Sequence, residues 1–149
     1  MDRALLSEHN AVDALLLPQT LTVAAHTATD ISVKGYTRAM LKLALGAAAS
    51  GATIDVVVSH ATAAGGTYAT LFTATQLTEA GGDDEKVHYL DIDLLNPNIR
   101  NYLKVVVTVG TDTVLGYLEI ELSGAREEAV TQPDMEALAG TWATGIIPS

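Results

Sequence analysis

The sequence predicts an all-β protein, a jelly-roll-like antiparallel β-sandwich of about eight strands held between an N-terminal and a C-terminal arm. Three observations lead there. Apolar residues recur with period two along one segment after another; turn clusters rich in Gly, Asp and Thr separate those segments; and helical periodicity is confined to the two ends. A chain of 149 residues that is 48% hydrophobic has enough apolar side chain for one domain core. Because aromatics make up only 5%, that core should be aliphatic.

The elements follow in order. Residues 1–19 read as an arm or a short helix: Leu5, Val12 and Leu16 fall on one helical face with Leu6 and Leu15 beside it, and Pro18 ends the pattern. A short amphipathic helix and a partly extended arm both fit. The sandwich domain is expected over residues 20–124. It opens with Leu21, Val23 and Ala25 alternating with Thr20, Thr22 and Ala24, and Thr27-Ala28-Thr29-Asp30 reads as the next turn. In TRAMLKLALG, residues 37–46, Leu41, Leu43 and Leu45 share one face and Met40, Lys42 and Ala44 the other.

After a turn between Gly46 and Gly51, the stretch IDVVVSHATAAGGTYATLF, residues 54–72, forms two strands joined through Gly65-Gly66, with Val56, Val58 and Phe72 facing the core. Beyond the turn Gly81-Gly82-Asp83-Asp84, VHYLDIDLL turns Leu90, Ile92 and Leu94 inward. Asp91 and Asp93 go to water, since buried carboxylates would need partners. Residues 102–109 and 113–122 flank Gly110-Thr111-Asp112 and read as a hairpin, with Leu103, Val105, Val107 and Val109 facing Ile120, Leu118, Gly116 and Val114, and with Lys104 opposite Glu119. The tail, residues 125–149, abandons alternation; it has room for a short helix near 133–139, closed by Gly140, and then an extended end carrying Trp142, Ile146 and Ile147.

Charge narrows the partners. With 18 Asp+Glu against 8 Lys+Arg the net charge is -10, which opposes a phosphate backbone or an anionic bilayer, so neither nucleic acid nor membrane is expected as a partner. Ser7, Glu8, His9, Asn10 and Asp13 interrupt the apolar residues near the start, so no signal peptide is expected there. There is no Cys, hence neither disulfide nor thiolate chemistry.

Chemical candidates are few. Asp55, Ser59 and His60 lie within six residues, but strand alternation sends Ser59 and His60 to opposite faces, and no G-x-S-x-G elbow is present. The same-face pairs Asp91/Asp93 and Glu119/Glu121 have the spacing for a Ca²⁺ site or a glycosidase acid and base. Alternating acids on the wet face of a sheet explain them more simply. The acidic loop GGDDEK, residues 81–86, lacks a D-x-[DN]-x-[DN]-G spacing, and His9, His26, His60 and His88 show no zinc-type spacing. No catalytic residue, metal or cofactor is assigned, and the protein is expected not to be an enzyme. Trp142 is either a clamp on its own domain or an anchor in a partner's pocket.

The order Asn10-Ala-Val12, Leu17-Pro18-Gln-Thr20, Asp30, Gly35-Tyr36, then IDVVV, GGTY and a Thr-rich strand, then Asp93-Leu and Ile99-Arg100-Asn-Tyr102-Leu-Lys104-Val resembles the small capsid decoration, or cement, proteins of tailed bacteriophages. The likeness spans roughly residues 5 to 124 in the order of elements. It implies a jelly-roll-like sandwich, a homotrimer, and a place on the capsid exterior of the virion, where the protein clamps neighbouring major capsid subunits. On that expectation Leu5, Leu6, Val12, Leu16, Trp142, Ile146 and Ile147 are the candidate capsid or inter-subunit contacts. The alternative from another class is a carbohydrate- or receptor-binding β-sandwich of a phage tail or fibre, which would require exposed aromatics.

Overall fold

The computed structural model describes residues 11–124. Nine strands follow one another: β1 (Ala11–Leu21), β2 (Ala25–Ser32), β3 (Arg38–Ala48), β4 (Thr53–Ala61), β5 (Ala69–Thr73), β6 (Leu77–Thr78), β7 (Val87–Asp93), β8 (Tyr102–Gly110) and β9 (Val114–Ser123). One sheet has the order β1-β9-β3-β7 and the other β2-β8-β4-β5, with β6 also pairing β4. Every pairing is antiparallel. Taking β5 and β6 as one edge position, this is the strand order of an eight-stranded jelly roll, the architecture expected from the alternation. The chain changes sheet at every connection except β4 to β5 to β6.

Alternation alone explains the core. Leu41, Leu43 and Leu45 of β3 and Leu118 and Ile120 of β9 meet Ile54 and Val58 of β4 and Leu103, Val105, Val107 and Val109 of β8, all of them buried. Each such side chain contributes about 1.5–3 kcal/mol when fully removed from water. Gly116 is an inward position without a side chain because Leu21 fills its place. A Cβ there would lie 2.5 Å from Leu21 Cδ1.

Strand and turn placement differs from the sequence expectation in four places, and Phe72, expected to face the core, is exposed. From Ala11 onward the N-terminal arm is strand, not helix; β1 pairs with β9 from Ala11↔Leu122 to Leu21↔Val114, and two register shifts absorb the run Leu15-Leu16-Leu17 and Pro18. The strand expected across residues 20–25 is broken at 22–24, where the chain passes from one sheet to the other. The turn expected at Thr27-Ala28-Thr29-Asp30 is instead a bulge inside β2, between Ala28 and Ile31, with Asp30 at a positive φ of 55°.

The fourth difference is the largest. β8 and β9 exist with the inward faces anticipated, but they belong to opposite sheets, so Lys104 does not meet Glu119. Lys104 lies opposite Ser59 with its Nζ 4.8 Å from the centroid of the Tyr68 ring, and Glu119 lies opposite Lys42 of β3. The short helix anticipated near 133–139 falls outside the described residues.

Candidate functional site

The Asp55, Ser59 and His60 of β4 are separated as the strand period requires. His60 lies opposite the core residue Leu103, Ser59 opposite Lys104, and Asp55 accepts both amide hydrogen bonds of Gln76 Nε2 at 3.1 Å. His60 is buried, and its Nδ1 accepts the Arg100 backbone N–H at 3.2 Å. That donor assigns the ring proton of the neutral imidazole to Nε2. Burial first, and the Arg100 charge second, hold the imidazole below its ordinary value of 6.5. The residue ties the loop before β8 to the end of β4.

The carboxylate pairs behave differently from one another. Asp93 is exposed and accepts the Leu95 N–H at 3.0 Å, whereas Asp91 is half-buried and pairs with Arg38 Nη2 at 3.0 Å. Glu119 and Glu121, expected on the wet face, are buried to 1% and 7% exposure. Lys42 Nζ lies 2.6 Å from Glu121 Oε1 and 3.6 Å from Glu119 Oε1, and the Tyr117 hydroxyl donates to Glu119 Oε2 at 2.8 Å. The β3–β9 register produces this cluster by setting Lys42 opposite Glu119 and Met40 opposite Glu121. Burial, helped by the Glu119 hydrogen bond and the carboxylates around it, pushes the Tyr117 phenol up to about 12. A lysine shared by two acids and a neutral phenol welds two central strands.

A second polar cluster fixes a corner of the other sheet. Asp30 Oδ1 accepts the Tyr68 hydroxyl at 2.6 Å and the Gly65 N–H at 2.8 Å. These bonds hold its carboxyl below the ordinary range, the Tyr68 bond contributing most, and they pin the β4–β5 turn against the β2 bulge. The acidic loop of residues 81–86 is also turned inward on the backbone. Asp83 Oδ2 accepts the Thr78 N–H at 3.0 Å and Asp84 Oδ2 the Ala48 N–H at 3.3 Å. Among the described residues no group of three or more His, Asp or Glu side chains is placed to hold a metal ion.

The fold also leaves a set of apolar side chains exposed. On the outward face of the four-stranded sheet, at the end away from Ala11 and Ser123, Leu115 is 49% exposed, Tyr89 64% and Leu17 67%, with Val87 exposed beside them. Tyr89 lies opposite Lys42, Val87 opposite Ala44, and Ala44 opposite Tyr117, so three of the four strands meet there in register. Leu17 joins them from β1, between Leu16 and Gln19, which lie opposite Leu118 and Gly116 of β9. Two clefts add little to this face. One of about 320 Å³ lies between the Val33–Tyr36 and Leu94–Asn101 loops, and an apolar slot of about 190 Å³ opens between β7 and β5 near Phe72, Leu77 and His88.

Of the sequence-derived contact candidates, Val12 is buried and Leu16 is half-buried against the core, while Leu5, Leu6, Trp142, Ile146 and Ile147 lie outside the described residues. The exposed set Leu17, Val87, Tyr89 and Leu115 lies outside those candidates. Its signal was present: Val87, Tyr89 and Leu115 are apolar residues at the outward positions of alternating strands, where polar side chains are the rule. Comparison with protein-family models and with curated proteins finds no match for this chain.

Proposed function

We propose that the protein is a structural virion component that binds the outside of a phage capsid as a homotrimer and cements neighbouring major capsid subunits. The observation that carries this reading is the apolar patch of Leu17, Val87, Tyr89 and Leu115 on one sheet face, held on a two-layer sandwich. A rigid sheet presenting exposed aliphatic and aromatic side chains suits docking onto a large flat surface, because preformed geometry lowers the ordering cost of association. The polar groups with chemical potential support the same reading: Lys42, Glu119 and Glu121, Arg38 and Asp91, Asp30 and Tyr68 are engaged with one another. Three subunits that each make a modest contact would gain strongly from effective concentration.

Light scattering of the purified protein, with and without capsids of the phage that encodes it, tests the proposal. A stable trimer that co-sediments with capsids, and whose occupancy falls when Leu115→Asp and Tyr89→Ser are introduced, is the expected result. A monomer that stays in the supernatant would remove the cement reading. The exposed rings of Tyr89 and Phe72 favour the carbohydrate-binding alternative. Glycan-array binding that disappears in Tyr89→Ser, without any capsid binding, would establish that alternative instead.

A further inference from the structure

We propose that the cleft between the Val33–Tyr36 and Leu94–Asn101 loops binds a small oxyanion, a molecule the size of one sugar that carries a carboxylate or phosphate group. This goes beyond the capsid reading and does not rest on it. The cleft opens where the chain enters β3 and leaves β7, at the end of the sandwich where Arg38 lies opposite Asp93 and Ser123. That is the far end from Leu115.

Charge singles the cleft out. In a chain with 18 Asp+Glu against 8 Lys+Arg, Arg38 pairs with Asp91, Lys42 pairs with Glu119 and Glu121, and Lys104 lies over the Tyr68 ring. Lys34 and Arg100 make no ion pair among the described residues, and both line this recess. No described Asp or Glu lines it; Asp93, the nearest acid along the chain, has its Oδ1 on the Leu95 N–H at 3.0 Å. A recess lined by charge of one sign focuses the field, so an anion is drawn here although the molecule as a whole is acidic.

The remaining walls suit a small molecule. Buried Val33, Tyr36 and Leu94 form an apolar floor, and the exposed Asn96 stands at the rim with the two cations. Its Oδ1 already accepts the Asn98 N–H at 3.0 Å, which leaves Nδ2 as a donor. Guanidinium, ammonium and amide are thus all donors, the set an oxyanion requires. The volume of about 320 Å³ lies at the lower end of the roughly 300–1,000 Å³ of small-molecule sites, so it takes one compact ligand. Its loops are already fixed: the Val33 N–H donates to Asn101 O at 2.9 Å, Leu94 N–H to Thr37 O at 2.9 Å, and Arg100 N–H to His60 Nδ1 at 3.2 Å. Binding therefore orders little more than the Lys34 and Arg100 side chains.

Titration calorimetry and amide NMR on the full-length protein test the site with three probes of similar size: glucuronate, glucose 6-phosphate and neutral glucose. At least one anionic probe is expected to bind with a millimolar or lower Kd and to shift the Gly35, Arg100 and Asn101 amide signals, while glucose does neither. Binding of glucuronate alone identifies a carboxylate ligand, of glucose 6-phosphate alone a phosphate ligand, and of both a general oxyanion site. Arg100→Gln and Lys34→Gln should each weaken that binding about tenfold, the effect of losing one charge-assisted hydrogen bond. Both residues are exposed, so their unfolding midpoints should stay at the native value. Lys86→Gln removes the same charge beside Leu45, at the other end of the sandwich, and should leave affinity unchanged. The proposal is overturned if neither anion shifts those signals at about 10 mM, where a millimolar site is nearly full. Glucose binding as tightly as the anions, or an equal loss of affinity in Lys86→Gln, overturns it as well.

Discussion

Lys42 of β3 donates a 2.6 Å charge-assisted hydrogen bond to Glu121 of β9, on the outward side of the sheet yet almost wholly removed from water. Glu119 shares the same ammonium at 3.6 Å, so one cation serves two acids. Desolvation of such a cluster offsets most of its attraction. Its chief effect is therefore to fix which strands pair and in what register.

Removing the shared cation should be severe. Lys42→Met leaves two buried carboxylates without their charge partner, and a loss of about 3–5 kcal/mol is expected in urea unfolding at neutral pH. The triple replacement Lys42→Met, Glu119→Leu and Glu121→Leu should recover most of that loss, because no buried charge is then left unpaired. A Lys42→Met midpoint equal to that of the native protein would contradict the role given to the cluster.

Tyr117 carries an alkaline signature. Its pKa is raised from 10.0 in the unfolded chain to about 12 in the folded one, so between those values the folded state holds the proton that the unfolded state loses. Stability from this group is full below pH 10 and falls as pH rises toward 12. Tyr117→Phe should flatten that decline, and at neutral pH it should cost about 1–3 kcal/mol by depriving Glu119 Oε2 of its donor. Denaturation midpoints measured at neutral pH and above pH 10 would reveal both effects.

His60 predicts the opposite slope on the acid side. Its folded value lies below 6.5, so as pH falls below 6.5 the unfolded chain takes up the proton first and stability declines. His60→Gln removes that component. The variant should lose less stability than the native protein between pH 7.5 and pH 5, approximate limits chosen to bracket the ordinary histidine range. Equal losses in the two proteins would show that His60 is not the group responsible.

These residues also mark how far the sequence could be read. Period-two alternation identified the inward faces of β3, β4, β8 and β9, because one buried face imprints a local pattern. Pairing is not local. The nearest turn would set Lys104 against Glu119, whereas the jelly roll sends β8 and β9 to opposite sheets and brings Lys42 from 77 residues away in the sequence. Burial of Glu119 and Glu121 was illegible for a related reason, since alternation assigns an acid to the outward face but does not reveal whether that face is covered. The turn-like Thr27–Asp30 run misled because a bulge uses the same positive φ that a turn does.

Gly116 tests the packing directly. It occupies an inward position of β9 where an added Cβ would sit 2.5 Å from Leu21 Cδ1 and 3.2 Å from its Cγ, and Leu21 is fully buried, so its side chain would have to shift within the core. Gly116→Val should therefore destabilise by about 1–3 kcal/mol through overpacking, despite the higher strand propensity of Val. Pairing it with Leu21→Ala should return part of the loss, since the new methyl groups would enter the space vacated. Thermal unfolding of the two single variants and the double variant gives the coupling, and additive losses would mean that the two side chains do not compete for one site.

The apolar patch separates function from stability. Leu115, Val87 and Tyr89 are exposed, so Leu115→Ser, Val87→Thr and Tyr89→Ser together remove little buried area and should each leave stability within about 0.5 kcal/mol. If the face exists to bind, the same three substitutions should abolish co-sedimentation with capsids. Contact energy concentrates in a few well-placed apolar and aromatic anchors, so Tyr89→Ser alone should account for the largest share of the loss. A triple variant that keeps full capsid occupancy would move the binding surface elsewhere on the sandwich. One that loses occupancy together with its fold, seen as an equal fall in unfolding midpoint, would place these side chains in the structure rather than at a contact.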